Sequence, residues 1–403
     1  MTSREIVRLC AANGRNVRSL YVHIPFCFHK CHYCDFYSIV DDSRHGVFVN
    51  RLVRELEAIS EAASVGLIET VFFGGGTPTL LSPELWRPIL RVLRERFGIG
   101  DSGASDTEFT VECNPETASA ELFALLKSGG VNRVSFGAQS FDPRHLRTLE
   151  RWHDPESVAR AVELARAAGI ARINIDLIAC VPGQTLEEHI RDIESALSLG
   201  VRHISCYTLT YEPNTAMTVR LRRGEFEKTS DEAELEMMAA TREVLSRAGL
   251  DRYEVSNFAQ PGEECAHNMV YWRCGDWLAA GPSAAGHAGG WRWKNMPRLG
   301  DYLARDDRGF APAIDVEPPD PARLVREKIM LGLRLREGLD EAGLLCDADT
   351  ALAGSAENLL RDLARFAGEG LLSRDSGRVC LTDAGVALCD SVAGELMACV
   401  LGQ

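Results

Sequence analysis

The sequence lacks the features that mark exported and membrane-spanning proteins. No apolar signal core follows the opening residues Met1-Thr2-Ser3-Arg4-Glu5, and no apolar run is long enough to cross a lipid bilayer. We therefore expect a cytoplasmic protein without a membrane span, and peripheral contact with a membrane stays compatible with the sequence.

The chain also has no excess of basic charge. Lysine and arginine together number 44 and aspartate and glutamate 58, which gives a net charge of −14. Because nucleic acids are held mainly through their phosphates, this balance argues against broad nucleic-acid binding. The remaining composition, 45% hydrophobic and 25% charged residues in a chain of 403, is that of a globular protein with two or three units.

Cysteine, by contrast, is plentiful. There are 13 cysteines, and an odd number in a chain with no export signal predicts reduced thiols in a reducing compartment, not a disulfide framework. Most of them are expected to be small buried apolar residues. The question is therefore which of them bind a ligand.

The first half of the sequence alternates between short apolar strands and helical periodicity. Six strands are predicted, at Leu20–Ile24, Ile68–Phe73, Glu108–Glu112, Arg133–Phe136, Arg172–Ile178 and His203–Leu209. This alternation predicts an α/β fold with a parallel sheet, and six units favour a partial (β/α)6 TIM-like barrel. Polar residues that follow the strands are then expected to meet at one end of the barrel.

The rhythm changes after about Glu212. We predict four parts: an N-terminal arm at 1–17, the barrel at 18–215, an extension at 216–315 and a tail at 316–403. The proline-containing segment Pro312–Pro321 is interpreted as a connector.

The tail predicts a C-terminal α+β domain that is winged-helix-like. Two helices are followed by a hairpin around Asp375-Ser376-Gly377 and a last helix after Thr382. From Val316 onward 15 acidic residues outnumber nine basic ones, which favours a packing or docking module over a DNA-binding one.

The strongest motif is Cys27-Phe28-His29-Lys30-Cys31-His32-Tyr33-Cys34, directly after the first strand. A zinc site is one interpretation, but no further ligand pair has finger spacing. Three thiolates on one loop also suit a [4Fe–4S] cluster, which takes four ligands. One iron would then be left open to a substrate or cofactor.

These cysteines resemble the cluster motif of the radical S-adenosylmethionine (SAM) superfamily. The resemblance implies a partial six-unit barrel, a [4Fe–4S] cluster on Cys27, Cys31 and Cys34, and SAM on the open iron. In that superfamily an electron from the cluster cleaves SAM to a 5′-deoxyadenosyl radical. It also implies a reductant protein such as a flavodoxin or ferredoxin.

The same resemblance assigns SAM contacts to residues near the ends of the predicted strands. A Gly-Gly-Gly-Thr-Pro segment closes the second strand, where glycine lets the backbone approach a ligand closely. The predicted SAM residues are Tyr21, Tyr33, Gly75, Gly76, Thr77, Glu112, Gln139, Arg151 and Asp176. Each alone is more often a solvated or capping group.

Within the superfamily the chain resembles the coproporphyrinogen-oxidase-like group over about residues 18–390. Two branches compete: oxygen-independent coproporphyrinogen III oxidase and the haem chaperones called HemW. The oxidase typically carries a fourth cysteine where this chain has Phe36, and it has a longer N-terminal arm. The segment His267-Asn268-Met269-Val270-Tyr271-Trp272 matches the His-Asn-x-x-Tyr-Trp motif of the chaperone branch.

That motif supplies the haem candidates His267, Tyr271 and Trp272, with Cys265 as an alternative ligand. Histidine is a common axial ligand, and aromatic rings suit a flat macrocycle. The competing interpretation is a packed core cluster of histidine and aromatic side chains. The sequence also departs from many relatives at Ala179-Cys180, where they carry Tyr-Gly.

We therefore expect a haem-binding radical SAM protein that passes haem to an acceptor protein, as monomer or homodimer. The alternative is an enzyme that decarboxylates the propionates of coproporphyrinogen III. A DNA-binding regulator is disfavoured by the acidic tail.

Overall fold

Six parallel strands with helices outside them form the first half of the molecule. The computed structural model describes residues 1–63, 67–100 and 107–400, so residues 401–403 of the predicted tail lie outside it. The strands are β1 Ser19–Ile24, β2 Thr70–Gly75, β3 Glu108–Cys113, β4 Arg133–Gln139, β5 Arg172–Ala179 and β6 His203–Thr208. They pair in chain order, as a partial barrel requires.

The helices of this half are α1 Ser3–Ala12, α2 His45–Ala63, α3 Pro83–Phe97, α4 Ala120–Ser128, α5 Pro143–Thr148, α6 Pro155–Ala167 and α7 Leu186–Ser198. Their ends follow local chemistry. In α7, Thr185 and Glu188 form a reciprocal capping box. Helix α3 begins with Pro83 and ends at Phe97, where Gly98 caps it with a left-handed φ of 67°. The predicted six strand–helix units are confirmed.

Alternation along the strands makes the barrel interior polar. On β3, Phe109 and Val111 are fully buried in the core, whereas Thr110 and Glu112 line an interior cavity. The two sets lie on opposite faces because successive side chains of a strand point in opposite directions. The sheet therefore directs polar groups inward for ligands and apolar groups outward for the helices.

Later segments extend both edges of this sheet. They are α8 Ala216–Arg222, α9 Asp231–Arg247, β7 Asp251–Arg252, β8 Asn257–Ala259, α10 Ala266–Trp272 and β9 Leu278–Ala280. Strand β8 pairs antiparallel with β6, and β9 pairs parallel with β1. These short strands escape sequence patterns because two or three residues carry no periodicity.

A second small sheet packs beside the first helix. It consists of β10 Ala285–Ala288, β11 Trp291–Asn295 and, after α11 Leu299–Ala304, β12 Ala313–Glu317. The segment Pro312–Pro321, predicted as a connector, thus contains a paired strand. The N-terminal arm contains helix α1, whose Cys10 Sγ lies 3.5 Å from the Ala288 carbonyl oxygen.

Buried Glu55 of α2 joins the barrel to this extension. Its carboxylate accepts hydrogen bonds from the backbone amides of Gly281 and Ala311, at 2.9 and 3.2 Å. It also accepts from Asn295 Nδ2 at 3.1 Å and from the Tyr302 hydroxyl at 2.7 Å. Four donors from separate segments therefore depend on one side chain, and burial raises the pKa of that carboxyl.

The last part has its own hydrophobic core. Its elements are α12 Pro321–Gly332, β13 Leu339–Asp340, α13 Glu341–Ala351, α14 Ser355–Gly368, β14 Leu372–Asp375, β15 Arg378–Leu381, α15 Asp383–Ala387 and α16 Cys389–Ala398. Its core packs Ile329, Leu359 and Leu396 together. The predicted hairpin is present, with Ser376 and Gly377 in left-handed conformations, but α13 and β13 are additions to the prediction. Among the described residues no helix is both long and apolar enough to cross a membrane.

Candidate cofactor site

The three motif cysteines lie on the loop after β1, at the mouth of the interior cavity. This cavity measures about 810 Å³, and Cys27, Cys31 and Cys34 all line it. The loop is held at its base, where the Cys27 amide donates to the Ile39 carbonyl at 3.0 Å. All 13 cysteines, which fall within the described ranges, are free thiols. The structure therefore brings the three predicted ligands together on one wall.

Polar groups surround the sulfur atoms. His29 Nε2 lies 3.7 Å from Cys31 Sγ, and Arg151 Nη1 lies 3.6 Å from the same sulfur. Burial alone would raise the pKa of Cys31, but the hydrogen bond from His29 and the Arg151 charge lower it. Burial raises the pKa of Cys34 to about 11. Because iron binds thiolates, Cys31 is the thiol best prepared for a metal.

The glycine turn after β2 lies against the base of the cysteine loop. The Gly76 amide donates to the Ile24 carbonyl and the Thr77 amide to the Phe26 carbonyl, both at 2.7 Å. A Cβ on Gly75 would clash with the ring of His23, and Gly75 has a φ of 105°. Glycine is thus required at this position by both conformation and space. Gly75, Gly76 and Thr77 all line the cavity, as predicted for a ligand-facing turn.

Two carboxyl groups face one another across the barrel interior. Glu112 Oε2 accepts from the Gly75 amide at 3.1 Å. Asp176 accepts from Ser135 Oγ at 2.8 Å and from Asn174 Nδ2 at 2.7 Å. Burial, and secondarily the charge of Asp176, raises the pKa of Glu112 to about 8, and burial raises that of Asp176. Without a ligand, the Glu112 carboxyl therefore favours its protonated form at neutral pH.

Replacement of Glu112 with glutamine is expected to stabilise the cofactor-free protein above neutral pH. The folded state binds the Glu112 proton more tightly than the unfolded state does. The resulting contribution to the free energy of unfolding is complete below about pH 4.5 and is lost as pH rises through about 8. Glu112→Gln should thus raise the free energy of unfolding by up to about 5 kcal/mol at alkaline pH. Urea titrations between pH 6 and 9 measure it, with exposed Glu121→Gln as the control. If the free energy of unfolding changes with pH in the same way in Glu112→Gln and in the unaltered protein, the raised pKa of Glu112 is contradicted.

Arg151 is held by groups on three sides. Its Nη2 donates to Asn114 Oδ1 and to the Gly137 carbonyl, each at 2.5 Å, while its Nε is buried without a partner in the described structure. Gln139 follows a bulge between β4 and β5 and has a φ of 65°.

Asn114 was not predicted as a site residue. Its position could have indicated it, because it lies directly after β3 and two residues beyond Glu112.

The two predicted tyrosines also line the cavity. The hydroxyl of Tyr21 lies 3.1 Å from His23 Nδ1, and burial raises the pKa of both Tyr21 and Tyr33. Both rings are therefore neutral walls of the cavity.

The segment His267–Trp272 forms most of α10 and closes the far end of the cavity. Glu108 of β3 accepts from the amides of Ala266 and His267, at 3.1 and 3.0 Å. Asn268 and Tyr271 line the cavity, as does Cys265. Burial raises the pKa of Cys265 to about 12.

His267 is fully buried, and both of its ring nitrogens have partners. Nδ1 lies 2.8 Å from Thr70 Oγ1, and Nε2 lies 2.8 Å from the Tyr271 hydroxyl. Trp272 is separate from the cavity lining, with the Arg334 guanidinium 5.6 Å from its ring centre. The three haem candidates are thus not gathered around one open space.

Two family models match the chain. The radical SAM superfamily model covers residues 21–196, and the HemN C-terminal domain model covers residues 320–388. The chain is 37% identical to a protein of Mycobacterium tuberculosis named heme chaperone HemW, over 94% of both chains. It is 35% identical to the heme chaperone HemW of Bacillus subtilis, over 94% of this chain and 99% of that one.

The chain belongs to the HemW family. Its fold is also that of a solved structure, the radical SAM enzyme coproporphyrinogen III oxidase from Escherichia coli. The TM-score is 0.83 at 23% identity, covering 98% of this chain and 93% of the oxidase. The predicted radical SAM barrel with a C-terminal domain is confirmed.

Membership of the HemW family places the chain in the radical SAM superfamily, which implies a [4Fe–4S] cluster and SAM. The cavity fits both groups. It offers three free thiols on one wall, a glycine turn that side chains would block, and the buried Arg151 Nε, which has no partner in the part of the chain that the structure describes.

Proposed function

We propose that this chain binds haem and passes it to an acceptor protein, while holding a [4Fe–4S] cluster and SAM. The observation that carries the proposal is the 37% identity to a named haem chaperone over 94% of both chains, which includes the barrel, the extension and the tail. Phe36 supports it, because the oxidase branch typically has a cysteine there.

The residues of the cavity have separable roles in this proposal. Cys27, Cys31 and Cys34 hold the cluster, which with SAM supplies one-electron chemistry when bound. Arg151 pairs with the SAM carboxylate because its charge is buried and its Nε has no partner among the described residues. Glu112 and Asp176 accept hydrogen bonds from ribose hydroxyls, and Gly75, Gly76 and Thr77 receive the amino group. Gln139, Tyr21 and Tyr33 complete the wall.

The haem contacts of His267, Tyr271 and Trp272 stay predictions. A bond from His267 to iron would require that its contact with either Thr70 or Tyr271 be broken. In the described structure His267 positions Tyr271, which in turn lines the cavity.

The partners follow from the same proposal. A haem-accepting protein receives the cargo, and a flavodoxin or ferredoxin reduces the cluster in a reducing compartment, the cytoplasm. The acidic C-terminal part, with its separate core, serves as a docking module. In this proposal the chain has four parts: an arm at 1–17, a barrel at 18–215, an extension at 216–315 and a tail at 316–403.

One anaerobic experiment tests the function. The cluster is reconstituted, haem is titrated while its absorption spectrum is recorded, and haem transfer to an added apo-protein acceptor is followed. In parallel, coproporphyrinogen III is offered with SAM and a reductant. We expect stoichiometric haem binding, transfer, and no decarboxylated product. Formation of that product would establish the oxidase instead, and failure to bind haem would refute the chaperone.

A further inference from the structure

Three large aromatic side chains are exposed on or against the cysteine loop beside the cavity. Phe28, Phe36 and Trp152, here called the aromatic rim, are 60%, 68% and 56% exposed. Grouped apolar exposure of this kind marks binding surfaces, whereas scattered single residues do not. Phe28 and Phe36 line the cavity itself, on the loop that carries the cysteines.

Two members of the aromatic rim, Phe28 and Trp152, are already ordered by contacts within the protein. The ring of Trp152 is stacked on the ring of His29, with centroids 4.3 Å apart and planes 4° from parallel. Phe28 meets Trp152 edge to face at 5.9 Å. The His29 ring is fixed in turn by its Nε2, 2.5 Å from the Glu150 carbonyl oxygen. Binding of a flat apolar group here therefore costs little side-chain conformational entropy.

The inner walls of the cavity and its mouth are lined by chemically different side chains. Its inner walls carry Glu112, Asp176 and Arg151, groups that suit a small charged molecule such as SAM. The mouth is aromatic, and its cation is Lys30, whose Nζ donates to the Phe36 carbonyl at 3.4 Å. Among the described residues no carboxylate lies within 4.0 Å of Lys30. Asp35 lies at the same mouth, so an anionic group is favoured only on the Lys30 side.

An iron porphyrin matches this mouth. Its macrocycle is flat and apolar and covers aromatic rings, while its two propionates need a cation or water. The site can be reached without any change of the protein. His267, the other candidate haem site, is less accessible. Its ring is fully buried, and both ring nitrogens already have hydrogen-bond partners.

We propose that haem binds at the cavity mouth, with its macrocycle against the aromatic rim of Phe28, Phe36 and Trp152 and a propionate at Lys30. This inference rests on the proposed function and names where its cargo sits, outside the SAM site. It gives Phe36 a positive role: the ring completes an apolar edge at the position where the oxidase branch typically has a thiol.

The test uses the full-length, cluster-loaded protein and measures the haem dissociation constant by absorption titration. Phe28→Ala and Trp152→Ala are made singly and together. The control Leu360→Ala removes an apolar side chain that is 42% exposed on the C-terminal part. We expect roughly tenfold weaker binding for each single rim variant, more for the double variant, and no change for Leu360→Ala. Iron content and SAM binding are measured in every variant.

The outcomes separate this inference from the proposed function. Haem binding by the unaltered protein that is equally tight in the double variant, at unchanged iron content, would place haem elsewhere and overturn the inference alone. If the double variant instead slows only cluster reduction by a flavodoxin, the aromatic rim is a protein-docking surface and the inference also fails. Absence of haem binding by the unaltered protein would refute the proposed function itself.

Discussion

Replacement of Cys31 with alanine is expected to abolish the iron–sulfur cluster. Iron content should fall from about four atoms per chain to less than one, because a [4Fe–4S] cluster with only two protein thiolates is not retained. Two further thiols, Cys113 and Cys265, line the cavity but cannot readily substitute. Their sulfurs are engaged elsewhere: Cys113 Sγ donates to the Asn114 carbonyl at 3.3 Å, and Cys265 Sγ donates to Glu108 Oε1 at 3.4 Å. Iron and sulfide analysis after anaerobic reconstitution measures the loss.

Cys346→Ala provides the matched control, since Cys346 is an exposed thiol on α13. That variant should keep its full iron content. Retention of a complete cluster by Cys31→Ala would contradict the ligand assignment, and equal loss in both variants would point to a general effect on the chain instead.

The second large effect is expected at Glu55. Glu55→Ala leaves three buried donors without an acceptor, the amides of Gly281 and Ala311 and the hydroxyl of Tyr302. Asn295 Nδ2 also loses one of its two acceptors and keeps the Gly281 carbonyl, 3.0 Å away. An unsatisfied buried donor costs on the order of 1–3 kcal/mol, so we expect the free energy of unfolding to fall by about 4 kcal/mol. Chemical denaturation followed by tryptophan fluorescence measures this change.

Glu61→Ala is the control for this prediction, because Glu61 is exposed on the same helix. It should shift the denaturation midpoint only slightly. Glu55→Gln is expected to fall between the two, since an amide oxygen keeps about half of the accepting capacity. A Glu55→Ala midpoint equal to that of Glu61→Ala would show that water replaces the carboxylate at no cost.

The sequence was most informative where neighbouring residues act together. The cysteine loop could be predicted because its three ligands share one short segment. Glu112 and Asp176 could be placed because each lies in the carboxyl-terminal half of a predicted strand, and parallel strands end at the same edge of a sheet.

Contacts between distant segments were not predictable. The pattern around His267 indicated a residue type suited to haem, but Thr70, which holds its Nδ1, lies 197 residues away. Strand β9 is three residues long, and its pairing with β1 depends on tertiary packing, not on periodicity. Asn114 was missed because a single amide after a strand has no motif of its own.

The pairing of β9 with β1 has a consequence for the order of events during synthesis. The outer edge of β1, which leads into the cysteine loop, has no neighbour until Leu278–Ala280 have been made. Glu55 must likewise wait for Gly281, 226 residues further along. A nascent chain therefore exposes an unpaired strand beside its reactive thiols for most of its translation. Cluster insertion into a barrel with both edges of β1 paired therefore has to follow the synthesis of Leu278–Ala280.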